Sequence, residues 1–185
     1  MNIAVYCSSS NHISEDYLKE ARKLGEWLAK NGHTLVFGGA TGGSMSAVSE
    51  GAASVGGQIT GVIPVAVMNM NRQSPLCTTM IEVKTMSERK DKMRELSDIF
   101  VALPGSFGTL DELFDVLASG IVGEHKRPVI IVNQNGIYDD LLKLTARLKS
   151  EKFIPAEIFQ PQITGNVDEC IQWIESYKAK TQNFK

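Results

Sequence analysis

The sequence predicts an α/β fold, a doubly wound domain with a mostly parallel sheet and helices on both faces. Three observations lead there. Short apolar segments alternate along the chain with longer segments of helical period. The apolar segments are near-continuous, not alternating, as strands covered on both faces require. Two glycine-containing turns each join the end of a predicted strand to the start of a predicted helix.

The elements follow in order. Residues 2–7 form an apolar strand. Tyr17, Leu18, Ala21, Leu24 and Leu28 mark a helix over 14–30, ended by Asn31-Gly32 in the manner of a C-cap. A strand at 33–37, a Gly-rich loop at 38–43 and a small-residue helix at 44–55 come next. Gly56-Gly57 turns into a strand at 58–63, stopped by Pro64. Residues 64–79, with Met68, Met70, Arg72 and Pro75, read as irregular. A strand at 80–84, a helix at 87–96 and a strand at 98–103 lead to a second loop at 104–108 and a helix at 109–122. A strand at 128–133, a turn at Asn135-Gly136 and a helix at 137–149 follow. The tail carries one more helix, 167–178, with Cys170, Ile171, Ile174 and Tyr177 on one stripe. Crossovers between parallel strands are right-handed. The architecture is therefore Rossmann-like, and ligands in such sheets bind beyond the carboxyl ends of the strands.

Composition narrows the class. At 185 residues the chain fits a single domain, 1–185, against roughly 150 residues per domain. Lys and Arg total 19 against 21 Asp and Glu, so the net charge of −2 gives no support to nucleic acid or an anionic membrane as partner. No apolar run approaches the ~18 residues of a membrane span, and the N-terminus reads as a strand rather than a signal peptide. Cys7, Cys77 and Cys170 are odd in number and form no CxxC, which points to a reducing cytoplasm. His12, His33 and His125 lack metal-ligand spacing, so no metal site is expected. No GxSxG elbow is present.

Three segments carry candidate chemistry. In Gly38-Gly39-Ala40-Thr41-Gly42-Gly43-Ser44, glycines permit positive φ and close backbone approach, so amides at a helix start can face a small anion such as phosphate. The alternative is a tight turn with no ligand; the spacing matches neither a Walker loop nor GxGxxG. The second segment is Pro104-Gly105-Ser106-Phe107-Gly108-Thr109-Leu110-Asp111-Glu112. Here Thr109-x-x-Glu112 matches a capping box, with Thr109 as N-cap and Glu112 at N3. The functional reading has the same helix start bind an anion, with Glu112 facing the reacting atoms and Asp111 beside it. Six of the 16 glycines (38, 39, 42, 43, 105 and 108) fall in these two loops. Third, Met86, Arg89, Met93 and Leu96 share a helix face, so Arg89 interrupts an apolar stripe. A buried guanidinium needs a partner, a carboxylate or an anionic ligand; the alternative is an arginine snorkelling past the core edge. Cys7 ends the first strand near the expected site and reads as a buried small residue, and Ser8-Ser9-Ser10 supply hydroxyl donors.

Together these segments resemble the Lonely Guy family of cytokinin-activating phosphoribohydrolases, over roughly residues 1 to 155. The family's PGGxGTxxE corresponds to Pro104 through Glu112, its VxCGSS to Val5 through Ser10, and its GGGxxGLMG to Gly38 through Ser46. Its Arg-Lys pair matches Arg89-Lys90, and its GxHxKPV matches Gly123 through Val129. The resemblance implies hydrolysis of the N-glycosidic bond of a nucleoside 5′-monophosphate to a free base and ribose 5-phosphate. Arg89 and Glu112 match the catalytic pair. Ser9, Gly38, Gly39, Gly42, Gly43, Met86, Lys90, Pro104, Gly105, Ser106, Gly108, Thr109 and Asp111 are the implied substrate-binding residues. A homodimer or higher oligomer is implied, with no metal and no organic cofactor. Relatives carry an older label of lysine decarboxylase, but the sequence offers no motif for the pyridoxal cofactor of that chemistry. Departures are Ser106 for the second glycine of the signature, and Ala40, Ser44 and Ser46 in the first loop. Ser119 stands where many members have Trp, and Ile121 where they have Gln. The segment between Pro64 and Arg89 is shorter than usual, so phosphate and ribose handling is better marked than the identity of the base; AMP is as plausible a substrate as a cytokinin nucleotide. A non-catalytic nucleotide sensor or carrier is the competing expectation.

Overall fold

The computed structural model describes residues 1–154 and 160–182. Seven parallel strands form one sheet in the order β4-β3-β2-β1-β5-β6-β7. They are β1 Asn2–Tyr6, β2 Thr34–Phe37, β3 Ile59–Pro64, β4 Thr79–Val83, β5 Ile99–Ala102, β6 Val129–Val132 and β7 Gln162–Thr164. The helices are α1 Glu15–Lys30, α2 Gly43–Ala53, α3 Val65–Met68, α4 Met86–Leu96, α5 Phe107–Ile121, α6 Asp139–Ser150 and α7 Val167–Gln182.

Period-two geometry in β1 shows how the layers are built. Ile3, Val5 and Cys7 face one side, where they meet Leu24 and Leu28 of α1, Val48 of α2 and Ile174 of α7. Ala4 and Tyr6 face the other, with Met93 of α4 and Leu113 and Val116 of α5. Both faces are therefore covered, which is why the strands read as unbroken apolar runs. α1 and α2 cross closely enough that a Cβ on Gly25 would sit 1.9 Å from the Val48 carbonyl oxygen.

The structure corrects the reading in three places. Pro64 is the last residue of β3, and its segment continues into the short helix α3. The stretch read as irregular also makes an antiparallel bridge, Gln73 to Ala40. β7 has no counterpart in the sequence reading. It is a three-residue edge strand with only Thr164 buried, too short and too polar to leave a periodic signal.

Candidate functional site

Strand order reverses between β1 and β5, where one crossover leaves for β2 and the other for β6. Loops there diverge to opposite faces and leave a crevice beyond the strand ends. A cavity occupies this position. Cys7, Ser8 and Ser9 from the end of β1 form its floor, and Gly38 follows β2. Pro64 and Val67 stand on the β3 side, and Ser106, Gly108, Thr109 and Glu112 on the β5 side.

α4 delivers Arg89 to this cavity. The helix starts with a side-chain cap: the Glu88 amide donates to Thr85 Oγ1 at 3.1 Å, and Glu88 Oε2 accepts from the amide of Lys84, the residue before the cap, at 2.8 Å. One turn in, Arg89 is 5% exposed. Its Nη1 lies 2.5 Å from Glu112 Oε1, and its Nε donates to the Val62 carbonyl at 3.1 Å. It does not snorkel to solvent. Gly38 is what makes room, since a Cβ there would fall 1.9 Å from Arg89 Nη2.

α5 delivers Glu112, and here the capping-box reading fails. The helix begins at Phe107 with Ser106 as N-cap, so Thr109 is its third residue and Glu112 its sixth. Glu112 is 3% exposed and faces Arg89 rather than the helix end. Burial pushes its carboxyl above the ordinary glutamate range, and the Arg89 charge opposes that shift without cancelling it. Among the described residues no side chain caps α5, so its first amides have donors to spare beside Ser106, Gly108 and Thr109 of the cavity lining. A Cβ on Gly105 would lie 2.0 Å from Thr109 Oγ1, so that glycine lets the loop close over the buried Thr109.

The first glycine loop turns out differently from an anion cradle. The Gly42 amide donates to Ser46 Oγ at 2.7 Å, the Gly43 amide to Asn11 Oδ1 at 2.9 Å, and the Met45 amide to the Ser8 carbonyl at 3.1 Å. Gly42 (φ 107°) and Gly43 (φ 48°) let this loop approach the Ser9 and Ser10 carbonyls. Gly39 packs against Val62 and Ile63. The loop braces the Ser8–Asn11 segment, and of its glycines Gly38 reaches the cavity.

Of the other expected residues, Ser9 and Met86 line the cavity. Pro104 and Gly105 line a neighbouring cavity that shares Ser8 and Ser106 with the first. Lys90 and Asp111 stand outside both, paired at 2.8 Å across α4 and α5. Cys7 is buried, which raises its thiol pKa and keeps it protonated. His125 bonds the Val116 carbonyl at 2.9 Å and lies away from the site. Arg72, Met45, Pro64 and Val67 are lining residues that sequence reasoning passed over, and Arg72 is the charged one among them. Its segment has no period, and only the tertiary fold turns it toward the cavity.

The comparisons now bear on this geometry. A family model described as "Possible lysine decarboxylase" matches residues 45–174. A cytokinin riboside 5′-monophosphate phosphoribohydrolase of Mycobacterium tuberculosis is 40% identical over 171 residues, covering 92% of this chain and 91% of that protein. The chain belongs to the Lonely Guy family. An Arabidopsis thaliana member, also named a cytokinin riboside 5′-monophosphate phosphoribohydrolase, is 35% identical over 177 residues, 95% of this chain and 78% of its own length. Among solved structures, a molybdenum cofactor binding protein from Rippkaea orientalis superposes with a TM-score of 0.72 at 26% identity, covering 95% of this chain and 96% of that one. The decarboxylase wording of the family model does not fit the residues present. Among the described residues no lysine lines the cavity, so a pyridoxal group there finds no amine with which to form its Schiff base. Among the described residues no group of three or more His, Cys, Asp or Glu could hold a metal ion, and no helix is long and apolar enough to cross a membrane.

Proposed function

We propose that residues 1–185 act as one domain that hydrolyses the N-glycosidic bond of a nucleoside 5′-monophosphate, AMP or an N6-modified AMP, to free base and ribose 5-phosphate. The observation that carries the reading is the buried Arg89–Glu112 pair beside an uncapped helix start at the crossover of the sheet. Cleavage builds positive charge on the ribose ring. A carboxylate with little water around it interacts strongly with such a charge, and Glu112 occupies that environment. In this reading Glu112 stabilises the cation or takes a proton from the attacking water, whose oxygen bonds C1′ as the C1′–N bond breaks and the base leaves. Arg89 opposes the rise that burial imposes on the Glu112 carboxyl and fixes its orientation. The α5 amides, with Ser9 and Ser106, take the phosphate. The apolar side chains of Met45, Val67 and Met86 face the base.

The relatives' printed names support this chemistry, and they extend the substrate to cytokinin nucleotides. A carrier that binds without turnover is the second reading, favoured by the likeness to the molybdenum cofactor binding protein. Incubation with AMP and prenylated AMP separates the two. Free base in proportion to enzyme, abolished in Glu112→Gln, is expected. Tight binding without base release at high enzyme concentration leaves the carrier reading instead.

The reading also includes a cytoplasmic homodimer. Cys7, Cys77 and Cys170 are free thiols, as a reducing compartment leaves them. Phe114, Ile121 and Val122 expose an apolar stripe along α5 that a second copy would cover. Sedimentation as a monomer at micromolar concentration would remove the dimer.

A further inference from the structure

Among the described residues three charged side chains line the cavity: Arg72, Arg89 and Glu112. Arg89 and Glu112 neutralise each other. The remaining charge is Arg72, for which no described carboxylate forms an ion pair. The cavity thus carries net positive charge in a chain whose total is −2.

Arg72 is also oriented. Its Nη2 donates to the Thr41 carbonyl at 2.9 Å and to the Ser9 carbonyl at 3.5 Å. A guanidinium carries five N–H donors. Both bonds leave from Nη2, so the donors on Nε and Nη1 stay uncommitted to the described residues. The two carbonyls hold the fork in place, so little side-chain freedom is lost when it meets a ligand. Its backbone is fixed separately, by the Thr41 amide on the Arg72 carbonyl at 2.7 Å and the Ser74 amide on the Gly39 carbonyl at 2.8 Å. Arg72 reaches the β1 end from the β2 side, and the α5 start reaches it from the β5 side. The two flank Ser8 and Ser9.

The geometry points to Arg72 as a second anion-binding residue of this site, meeting the 5′-phosphate of the nucleotide across Ser9 from the α5 amides. This rests on the nucleotide reading above. Arg72 is a specificity residue here: it selects phosphorylated over unphosphorylated nucleosides and takes no part in bond cleavage.

The test compares the intact wild-type chain with Arg72→Gln and Arg72→Lys, by calorimetric titration with ribose 5-phosphate and separately with adenosine. Loss of one oriented guanidinium–phosphate contact predicts about 10- to 100-fold weaker ribose 5-phosphate binding in Arg72→Gln. Adenosine affinity should stay within about twofold, and Arg72→Lys should fall between, since a lysine supplies charge without the fork. Equal weakening of both ligands would mark Arg72 as a structural clip and overturn the proposal. So would unchanged ribose 5-phosphate binding in the Gln variant, or none in the wild type. Selective loss of ribose 5-phosphate binding in a chain that releases no base from any nucleotide would sink the hydrolase reading and leave the Arg72 assignment standing.

Discussion

Replacing Arg89 by Met should destabilise the protein far more than replacing Arg89 and Glu112 together. Both side chains are almost entirely buried, with the charged atoms 2.5 Å apart. Removing the guanidinium leaves the Glu112 carboxylate buried without its cation and takes the Nε donor from the Val62 carbonyl. Stranding one member of a buried pair costs about 3–5 kcal/mol. For a chain of this size that lowers Tm by roughly 6–20 °C. Arg89→Met/Glu112→Leu removes both charges, and a buried pair replaced by apolar residues is commonly neutral within a few kcal/mol. The double variant should therefore recover most of the loss while staying inactive. The pH dependence has a definite sign. In Arg89→Met the folded-state pKa of Glu112 rises further above its unfolded value, because burial already raises it and the opposing charge is gone. The variant's deficit is then small below the unfolded glutamate pKa of about 4.3 and grows as pH rises through the folded value. Denaturant unfolding of the wild type and both variants at pH 4 and pH 7.5 measures this. A single variant as stable as the wild type at pH 7.5, or a double variant no better than the single, would refute the buried-pair account.

Three further outcomes follow from the same geometry. Gly38→Ala places a methyl where Arg89 Nη2 lies, so turnover should fall more than tenfold through a displaced guanidinium, and a smaller substitution elsewhere in that loop should not reproduce it; full activity in Gly38→Ala would show that Arg89 does not need that space. Burial, reinforced by the nearby N-terminal amine, lowers the His33 pKa to about 4. Unfolded chains bind the proton first, so stability should decline as pH falls from about 6.5 to about 4, and His33→Gln should flatten that slope in thermal melts. If Glu112 works as a carboxylate, the acid limb of kcat/KM should lie above the ordinary glutamate range; a limb at or below it would contradict the effect of burial.

The sheet was legible because its strands are buried on both faces and therefore nearly all apolar. β7 was not, since a three-residue edge strand with two exposed positions resembles loop. The site divides along the same line. Thr-x-x-Glu occurs at Thr85–Glu88 and at Thr109–Glu112, and nothing local separates the two. At the first it is a helix cap, with Thr85 Oγ1 accepting from the Glu88 amide and the Glu88 carboxylate accepting from the Lys84 amide just before the cap. At the second the helix starts earlier and the glutamate turns inward to an arginine on another helix. Gly38 was legible as a glycine in a strand-to-helix turn, but its purpose, space for Arg89, depends on a residue 51 positions away. Arg72 had no signal at all, because its role comes from the carbonyls of two loops that meet only in the folded chain.

Adjacent residues in the two helices explain how one short sequence supplies both chemistry and alignment. Neighbours on a helix are about 100° apart, so they do not face the same way. On α4, Arg89 turns inward and Lys90 outward; on α5, Glu112 turns inward and Asp111 outward. The result is an inner ion pair and an outer set of ion pairs between the same two helices. The inner one, Arg89–Glu112, is buried and borders the cavity. The outer one joins Lys90 to Asp111 at 2.8 Å and to Asp115 at 3.6 Å, and Asp115 also takes Arg94 at 2.6 Å. The outer network spans α4 and α5. Lys90 and Asp111, which the resemblance made substrate-binding residues, instead join the two helices outside the cavity that Arg89 and Glu112 border.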